Sequence, residues 1–563
     1  MTNLDAYSPP PLRAGIGLFL DKNEGPRSGA LRALDGLDLA EAARRYPDSS
    51  RMTALLAERV GVTPDRVLVT AGGDDAIDRL CRLTLSPSRG LVTHDPTFEM
   101  IPLGAARCGA PVRSAAWMRG GFPRDQFIDL IDPTVGLVAL VTPNNPTGLA
   151  IDAEDVLAVA RAADRAGATL LLDLAYAEFA DSRAVEELAP SLPNTVIVRT
   201  LSKAWGLAGL RVGYAIAEPP MLARLRAVGA PFAASSVSLA LAERALGDGE
   251  GVRAVVERVR DERRLLADAA RRLGADADDS QANFVLTRWP DAFWVRDALA
   301  SQGIGVRAFP GRPGLGDALR ITCPADGADC ERLVGALRTA VEPRALLLDL
   351  DGVIADVSRS YRRAIIETAR SFAVEVSAQD VRDAKAQGDA NNDWLLTQRL
   401  LARRGVAAPL GLVTERFEAL YQGSNGTPGL RALESLLVDR ETLEALGASL
   451  PMAIVTGRPR ADAQRFLHEQ GIGGLFPVVV CMEDAPVKPD PAPVRLALQR
   501  LGVTSAWMVG DTPDDIVAAR QAGVVPIGIP APSDDPEDAR RVLTQAGAAR
   551  VIRSLTELLE IVP

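Results

Sequence analysis

A chain of 563 residues is too long for one hydrophobic core and implies several domains. Its 47% hydrophobic and 24% charged residues exclude a disordered or fibrous protein. A net charge of −10 without a basic face argues against nucleic acid as a partner. No window of about 18 uncharged apolar residues suggests a membrane span. The start, MTNLDAYSPPPLRAG, lacks the basic-then-apolar pattern of a secretory leader, so a soluble, cytoplasmic protein is expected. With only His94 and His468, neither a multi-histidine metal site nor a serine–histidine triad is expected. The five cysteines (Cys81, Cys108, Cys323, Cys330, Cys481) contain no C-x-x-C and read as reduced, buried thiols. Lysine occurs only at Lys22, Lys203, Lys385 and Lys488, so lysine chemistry has few candidates.

From about residue 50, short apolar runs alternate with helical patterns, the signature of a parallel α/β architecture. The runs are Val67–Thr70, Gly136–Thr142, Thr169–Asp173 and Thr195–Thr200, separated by helical stretches such as Ala153–Ala166. His94 is expected in a loop, with no part in proton transfer. From about 240 to 340 the pattern is helix-rich and arginine-rich, with a strand candidate at Asn283–Thr287. A second α/β series opens at Arg344-Ala-Leu-Leu-Leu-Asp-Leu-Asp-Gly, after a short junction at Val341–Arg344 that leaves little slack. Between about 357 and 448 the pattern is almost wholly helical, which implies an insertion between the first two strands of that series.

Three segments carry the chemistry of the first half: Thr142-Pro-Asn-Asn-Pro-Thr-Gly148, Leu172-Asp-Leu-Ala-Tyr-Ala-Glu-Phe179 and Arg199-Thr-Leu-Ser-Lys-Ala-Trp-Gly-Leu-Ala-Gly-Leu-Arg-Val-Gly-Tyr214. Each follows an apolar strand, so their polar groups collect at the carboxyl edge of one sheet, where α/β folds bind ligands. Pyridoxal phosphate needs such a set: a lysine for the Schiff base, an acid opposite the pyridine nitrogen, and a cationic and backbone cradle for the phosphate. Further segments are Leu20-Asp-Lys-Asn-Glu24, Arg45-Tyr-Pro-Asp48, Gly72-Gly-Asp-Asp75, Asp95-Pro-Thr-Phe98, Ala282-Asn-Phe284 and Leu319-Arg-Ile-Thr322.

Together these residues resemble the fold-type I aminotransferases, and among them the histidinol-phosphate aminotransferases, over roughly residues 15–340. The resemblance implies a large, mostly parallel sheet domain at about 45–235 and a small α/β domain built from both ends of 1–341. It makes Lys203 the Schiff-base lysine and proton shuttle, Asp173 the partner of the pyridine nitrogen, and Asn145 and Tyr176 the partners of the ring hydroxyl. Phe98 would stack on the ring. Gly73 and Asp74 would offer backbone N–H groups to the phosphate, joined by Thr200, Ser202 and Arg211. Tyr46 would reach the phosphate of a neighbouring subunit, which implies a homodimer. Arg320 would hold the anionic end of the substrate together with Arg307, although Arg307 also reads as an ordinary surface residue. Three departures from the family pattern, Leu174, Asp75 and Cys323-Pro324, leave the amino donor and acceptor open.

The second half carries Leu348-Asp-Leu-Asp-Gly-Val353, Ile454-Val-Thr-Gly-Arg458, Val487-Lys-Pro-Asp490 and Val509-Gly-Asp-Thr-Pro-Asp-Asp-Ile516. Aspartates clustered after apolar strands need a compensating cation, and a hard oxygen site suits Mg²⁺. Asp349 and Asp351 place a carboxylate nucleophile and an acid near one phosphate, with Thr456 and Lys488 for its oxygens. These motifs resemble the haloacid dehalogenase superfamily over roughly 344–555, implying a Rossmann-like domain at 344–563 with a helical cap at about 357–448. The resemblance makes Asp349 the nucleophile and Asp351 the general acid and base. It assigns Mg²⁺ to Asp349, the Asp351 carbonyl, Asp511 and Asp515, the last in preference to Asp514. Asn391-Asn-Asp-Trp394 faces the substrate on one reading and merely starts a helix on the other.

The resulting expectation is a bifunctional enzyme. Its first half aminates imidazole acetol phosphate, and its second removes a phosphate, with histidinol phosphate the candidate substrate. The alternatives are another amino-acid aminotransferase joined to a general small-molecule phosphatase, and a chain in which one half is silent and serves binding or regulation.

Overall fold

The computed structural model describes residues 15–31, 36–424 and 427–562; most of the N-terminal stretch read above for a leader lies outside them. Contacts gather the chain into two compact units. The first consists mainly of Phe19–Ala292 and Val306–Arg332, the second of Leu333–Pro563 with Phe293–Gly305.

The first unit is built on a seven-stranded sheet in the spatial order Val67–Thr70, Gly213–Ile216, Thr195–Thr200, Thr169–Asp173, Val135–Val141, Gly90–Asp95, Val112–Ala116. All neighbours pair in parallel except Gly213–Ile216, which is antiparallel to both of its own. Val135-Gly-Leu-Val-Ala-Leu-Val141 is buried at every position, as a central strand covered on both faces must be. Helix Ala153–Arg165 buries Val156, Val159, Ala160 and Ala163 on one stripe; Glu154 and Asp155 open it and Arg165 closes it, complementing its dipole. Three expected strands form over the residues read from sequence; Gly136–Thr142 shifts one residue earlier, and the helix Ala153–Ala166 ends one residue sooner.

A smaller sheet runs in the order Leu18–Leu20, Ile304–Ala308, Ala318–Thr322, Phe284–Arg288, Asp276–Ala277, so both ends of the aminotransferase-like region contribute to it. The expectation of one strand between 240 and 340 needs correction. Four form there, because strands such as Ala-Leu-Arg-Ile-Thr carry arginine among apolar residues and mask the alternation.

The second unit has a six-stranded sheet ordered Val478–Val480, Met452–Val455, Leu346–Leu348, Trp507–Gly510, Val525–Gly528, Arg550–Val551, parallel throughout. Between its first two strands lie four cap helices, Tyr361–Ser371, Ala378–Ala386, Asp393–Arg403 and Leu410–Gln422. Their base is closed by the two-stranded ribbon Ala355–Asp356 and Ser435–Leu436. The last helix of the expected insert, Arg440–Ser449, lies beyond that ribbon. Helices Ala292–Ser301 and Gly327–Val341 each give most of their length to this unit. There Trp294 and Trp507 meet edge-on, ring centroids 4.8 Å apart. Trp294 Nε1 donates to Ala340 O and Trp507 Nε1 to Thr339 O, both at 2.9 Å. This unit thus reaches back past the junction expected at Val341–Arg344. Among the described residues no helix is long and apolar enough to cross a membrane.

His94 is not in a loop. It sits in the strand Gly90–Asp95, fully buried, with Nδ1 3.0 Å from Pro96 O and Nε2 accepting from Val141 N at 3.2 Å. The imidazole thus joins two strands, and burial pushes its pKa down to about 4. Unfolded chain takes up the proton near pH 6.5, so the stability this neutral ring contributes is full above that pH and lost as pH falls toward 4. His94→Gln should lower stability at pH 7 by about 1–2 kcal/mol and flatten the fall of the melting temperature between pH 6.5 and 4. An unaltered slope in calorimetry would remove His94 from this role.

Candidate active sites

Lys203, Asp173, Asn145 and Tyr176 reach the same cavity, of about 530 Å³, from the ends of the central strands. Gly73, Asp74, Phe98, Thr200, Ser202, Arg211, Arg307 and Arg320 line it as well. Tyr46, expected to reach a neighbouring subunit, does not line this cavity. Its ring is exposed and stacks on the exposed Phe232 at 4.8 Å.

Residues expected to cradle a phosphate converge at the start of helix Gly73–Thr84, whose first-turn N–H groups have no preceding helical partners. Gly72 holds the entry turn at φ +79°, and a Cβ there would lie 2.7 Å from Arg211 Nη2. Arg211 in turn donates to Asp74 at 2.9 Å, and Thr200 Oγ1 donates to Ser202 at 2.9 Å. Asp75 takes no part in the cavity: its carboxylate accepts from Ala71 N and pairs with Arg79. Leu174 is buried in the apolar core.

Arg320 and Arg307 face each other in register on antiparallel strands. Arg320 donates to Asn145 Oδ1 and to Asp21 O, both at 2.6 Å. Tyr176 Oη accepts from Asn23 Nδ2 at 3.0 Å, and Lys203 Nζ lies 5.5 Å from the Tyr176 ring centre. Asn23 received no role from sequence, although it stands inside a segment singled out there. Asn144, the neighbour of Asn145, spends its amide on Pro96 O and Thr147 Oγ1, which pins the turn.

Asp173 is the costly group. Its carboxylate is buried and accepts from Ala175 N at 3.0 Å. Burial pushes its pKa up to about 7, with that backbone bond and Lys203 pulling the other way. A buried acid of this kind fits the pyridine nitrogen of pyridoxal phosphate, whose protonation would offset the desolvation. Together with the amine, the helix start and the arginines, the donor set fits that cofactor.

At the second site Asp349, Asp511 and Asp515 come together, each buried, with ligand oxygens within 4.8 Å of one another. Asp349 follows strand Leu346–Leu348 and Asp511 follows Trp507–Gly510, so adjacent parallel strands deliver them. Thr512 caps helix Pro513–Gln521 in a reciprocal box with Asp515, whose Oδ2 accepts from Thr512 N at 3.0 Å and from its hydroxyl at 2.6 Å. That leaves Oδ1 for the cluster. Gly352, at φ +76°, is required: a Cβ there would lie 2.2 Å from Asp511 Oδ2.

Lys488 Nζ lies 2.9 Å from Asp349 Oδ1 and 2.5 Å from Asp515 Oδ1. Neither oxygen receives a well-aligned hydrogen bond. Burial pushes the pKa of Asp349 up more than Lys488 pulls it down. Burial also raises that of Asp511, reinforced by Asp515 and Asp349. Three crowded carboxylates with under-used oxygens fit a hard divalent cation such as Mg²⁺.

Asp514 points elsewhere, accepting from Asp389 N, Ala390 N and Asn391 Nδ2 of the cap. Asn392 caps helix Asp393–Arg403, so the helix-start reading of Asn391–Trp394 describes the geometry. Sequence reasoning missed Arg362, 3.8 Å from Asp511, and the two ion pairs of Arg458, with Asp351 and with Glu434. The only hint was the place of Arg458 two residues after Thr456.

A mixed seven-stranded sheet with this lysine, aspartate and asparagine at its edge, beside a smaller sheet carrying two arginines, defines the fold-type I transferase class. The chain belongs to the aminotransferase class I and II family, whose model matches residues 14–337. The model of haloacid dehalogenase-like hydrolases matches residues 343–523. A Jannaschia protein named histidinol-phosphate aminotransferase is 36% identical over 315 residues, which are 54% of this chain and 86% of that one. A Phytophthora nicotianae protein named imidazoleglycerol-phosphate dehydratase is 49% identical over 237 residues, 39% of this chain; the chain spans only 52% of its length. Among solved structures, histidinol-phosphate aminotransferase from Sinorhizobium meliloti in complex with pyridoxal-5'-phosphate superimposes with a TM-score of 0.53 at 26% identity. That match covers 58% of this chain and 91% of the other.

The burial of Asp173 has a measurable consequence. With a pKa of about 7 in the folded apoprotein, it stays protonated well above the ordinary range for aspartate. Its contribution to stability is full below pH 3.8 and lost as pH rises through 7. Apoprotein at pH 6 should show a protonated-carboxyl infrared band that disappears in Asp173→Asn. An identical spectrum in the variant would place the ionised form there instead.

Proposed function

We propose that the chain is a bifunctional enzyme: a histidinol-phosphate aminotransferase joined, at a sequence border near 341–344, to a Mg²⁺-dependent phosphatase acting on histidinol phosphate. The observation that carries the first half is the convergence of Lys203, Asp173, Asn145, Tyr176 and Arg320 on one cavity. Similarity to enzymes named for histidinol phosphate supports the substrate. A further relative is named for imidazoleglycerol phosphate, so both names point to histidine synthesis. Exposed Tyr46 supports a homodimer in which it reaches the partner's cavity. Five thiols free of disulfides, four of them buried, fit a reducing cytoplasm.

Bound in the first cavity, pyridoxal phosphate supplies an electron sink for the substrate's α-carbon. Asp173 would hold the charge of its ring nitrogen, Arg211, Ser202, Thr200 and the Gly73–Asp74 backbone would hold its phosphate, and Phe98 would cover the ring. Arg320 and Arg307 orient the anionic substrate. Lys203 Nζ, the one lysine amine among those groups besides Lys22, moves the substrate proton.

In the second site Mg²⁺, held by Asp349, Asp511, Asp515 and the Asp351 carbonyl, would neutralise phosphoryl charge. Asp349 attacks phosphorus as the bond to the leaving oxygen breaks, and Asp351 gives that oxygen its proton. Water then returns a proton to Asp351 and attacks phosphorus, freeing Asp349 and inorganic phosphate. Thr456 and Lys488 bind the phosphoryl oxygens throughout.

Imidazole acetol phosphate plus glutamate should yield 2-oxoglutarate, histidinol and inorganic phosphate, with histidinol phosphate passing through. Amination without phosphate release would refute the consecutive steps. Lys203→Ala should lose transamination and any borohydride-fixed cofactor while keeping phosphate release; an adduct fixed at Lys22, Lys385 or Lys488 would contradict the assignment. Asp349→Asn should lower Mg²⁺-dependent phosphate release by at least ~10³-fold and leave transamination intact. A parallel fall in transamination would show that the two activities share a site or a folding unit.

A further inference from the structure

Arg458 follows the core strand Met452–Val455 and is almost wholly buried, a large cost for a guanidinium. Its Nε donates to Asp351 Oδ1 at 2.5 Å and its Nη1 to Glu434 Oε2 at 2.9 Å. The guanidinium carbon lies 4.9 Å from the Tyr361 ring centre and 5.2 Å from that of Phe466, so the fork is gripped on its faces as well. Glu434 in turn accepts from Ser360 Oγ at 2.7 Å and Tyr421 Oη at 3.1 Å. Ser360 begins the first cap helix and Tyr421 lies at the end of the last. One buried carboxylate therefore ties both ends of the cap to Arg458, and Arg458 ties them to Asp351. Asp351 keeps 28% of its side chain exposed, the freest of these groups. The Asp351 side chain is not among the clustered carboxylates, which are those of Asp349, Asp511 and Asp515.

We propose that Arg458 is a positioning residue for Asp351, with Glu434 as its anchor on the cap. Nη1 fixes the guanidinium on Glu434, and Nε holds the Asp351 carboxyl in the orientation from which its proton reaches the leaving oxygen. The arrangement links that orientation to a cap whose two ends are drawn together at Glu434. A lysine could serve one carboxylate but not both in fixed geometry. The proposal rests on reading the second site as a phosphomonoesterase.

The test uses the full chain with Mg²⁺ and two substrates, para-nitrophenyl phosphate, whose leaving group departs without a proton, and propyl phosphate, whose alkoxide needs one. The ratio of kcat/KM values reports the steps up to leaving-group departure, where Asp351 acts as acid. Arg458→Met should lose ~10²-fold or more on propyl phosphate and less than ~10-fold on the aryl ester. Glu434→Gln should show the same asymmetry more weakly, and Arg458→Lys should recover part of it. Equal losses on both esters would overturn the proposal and make Arg458 a structural residue, and a matching rise in KM on both would make it a phosphate contact instead. Should Arg458→Met fail to fold, the asymmetry must appear in Glu434→Gln and Arg458→Lys, and its absence from both overturns the proposal equally. Asp349→Asn must abolish both hydrolyses. Wild-type protein inert on both esters would overturn the phosphatase reading itself.

Discussion

A carboxylate withdrawn from water at the end of a buried strand must find a cation or give up its charge. Both sites of this protein are organised by that constraint. Asp173 ends the strand Thr169–Asp173 and faces Lys203 across a cavity; its raised pKa marks how incompletely the protein alone satisfies it. Asp349 and Asp511 follow adjacent parallel strands, and Lys488 stands between two carboxylates of that cluster without fully occupying their oxygens. In each case the scaffold creates an electrostatic demand whose satisfaction is left to a small molecule or ion. The neighbouring glycines follow from the same demand, since Gly72 and Gly352 sit where a side chain would intrude on Arg211 and Asp511.

The two sites answer the demand with different supporting structure. In the first, the polar groups are spread around a roomy cavity, where Arg320 pairs with Asn145 and Asn23 with Tyr176. In the second, the charges are packed against one another. Asp515 is fixed by a helix cap, Asp514 is turned toward the cap domain, and Arg458 lies locked between two acids. Adjacent aspartates, 514 and 515, thereby take opposite tasks. Their positions in the first turn of one helix decide which is which: the third residue reaches back to Thr512, and its predecessor faces outward to residues 389–391.

The strands and the chemistry at their ends were readable because both are local. An apolar run followed by Asp, Asn-Pro-Thr-Gly or Ser-x-Lys needs no distant partner to be recognised. What escaped was either long-range or disguised. Arg458 meets Glu434 across 24 positions and Asp351 across 107, and nothing in either neighbourhood announces the meeting. Strands Ile304–Ala308 and Ala318–Thr322 were hidden by the very arginines that make them useful. His94 read as a loop residue because an isolated histidine before Asp-Pro gives no sign that a neighbouring strand's N–H awaits its ring.

The paired tryptophans bear on how such a chain could be taken apart. The family matches end at 337 and begin again at 343, which invites a cut between them. Yet Trp507 donates to Thr339 O and packs on Trp294, both on helices that precede the cut. A fragment beginning near 343 would leave a core-strand indole with its N–H unpaired, at about 1–3 kcal/mol, and its ring face open to water. The hydrolase-like unit is therefore not portable at its sequence border. Its core includes helices that lie, in whole or in part, within the aminotransferase match, so loss of the upstream region would remove part of the downstream core as well.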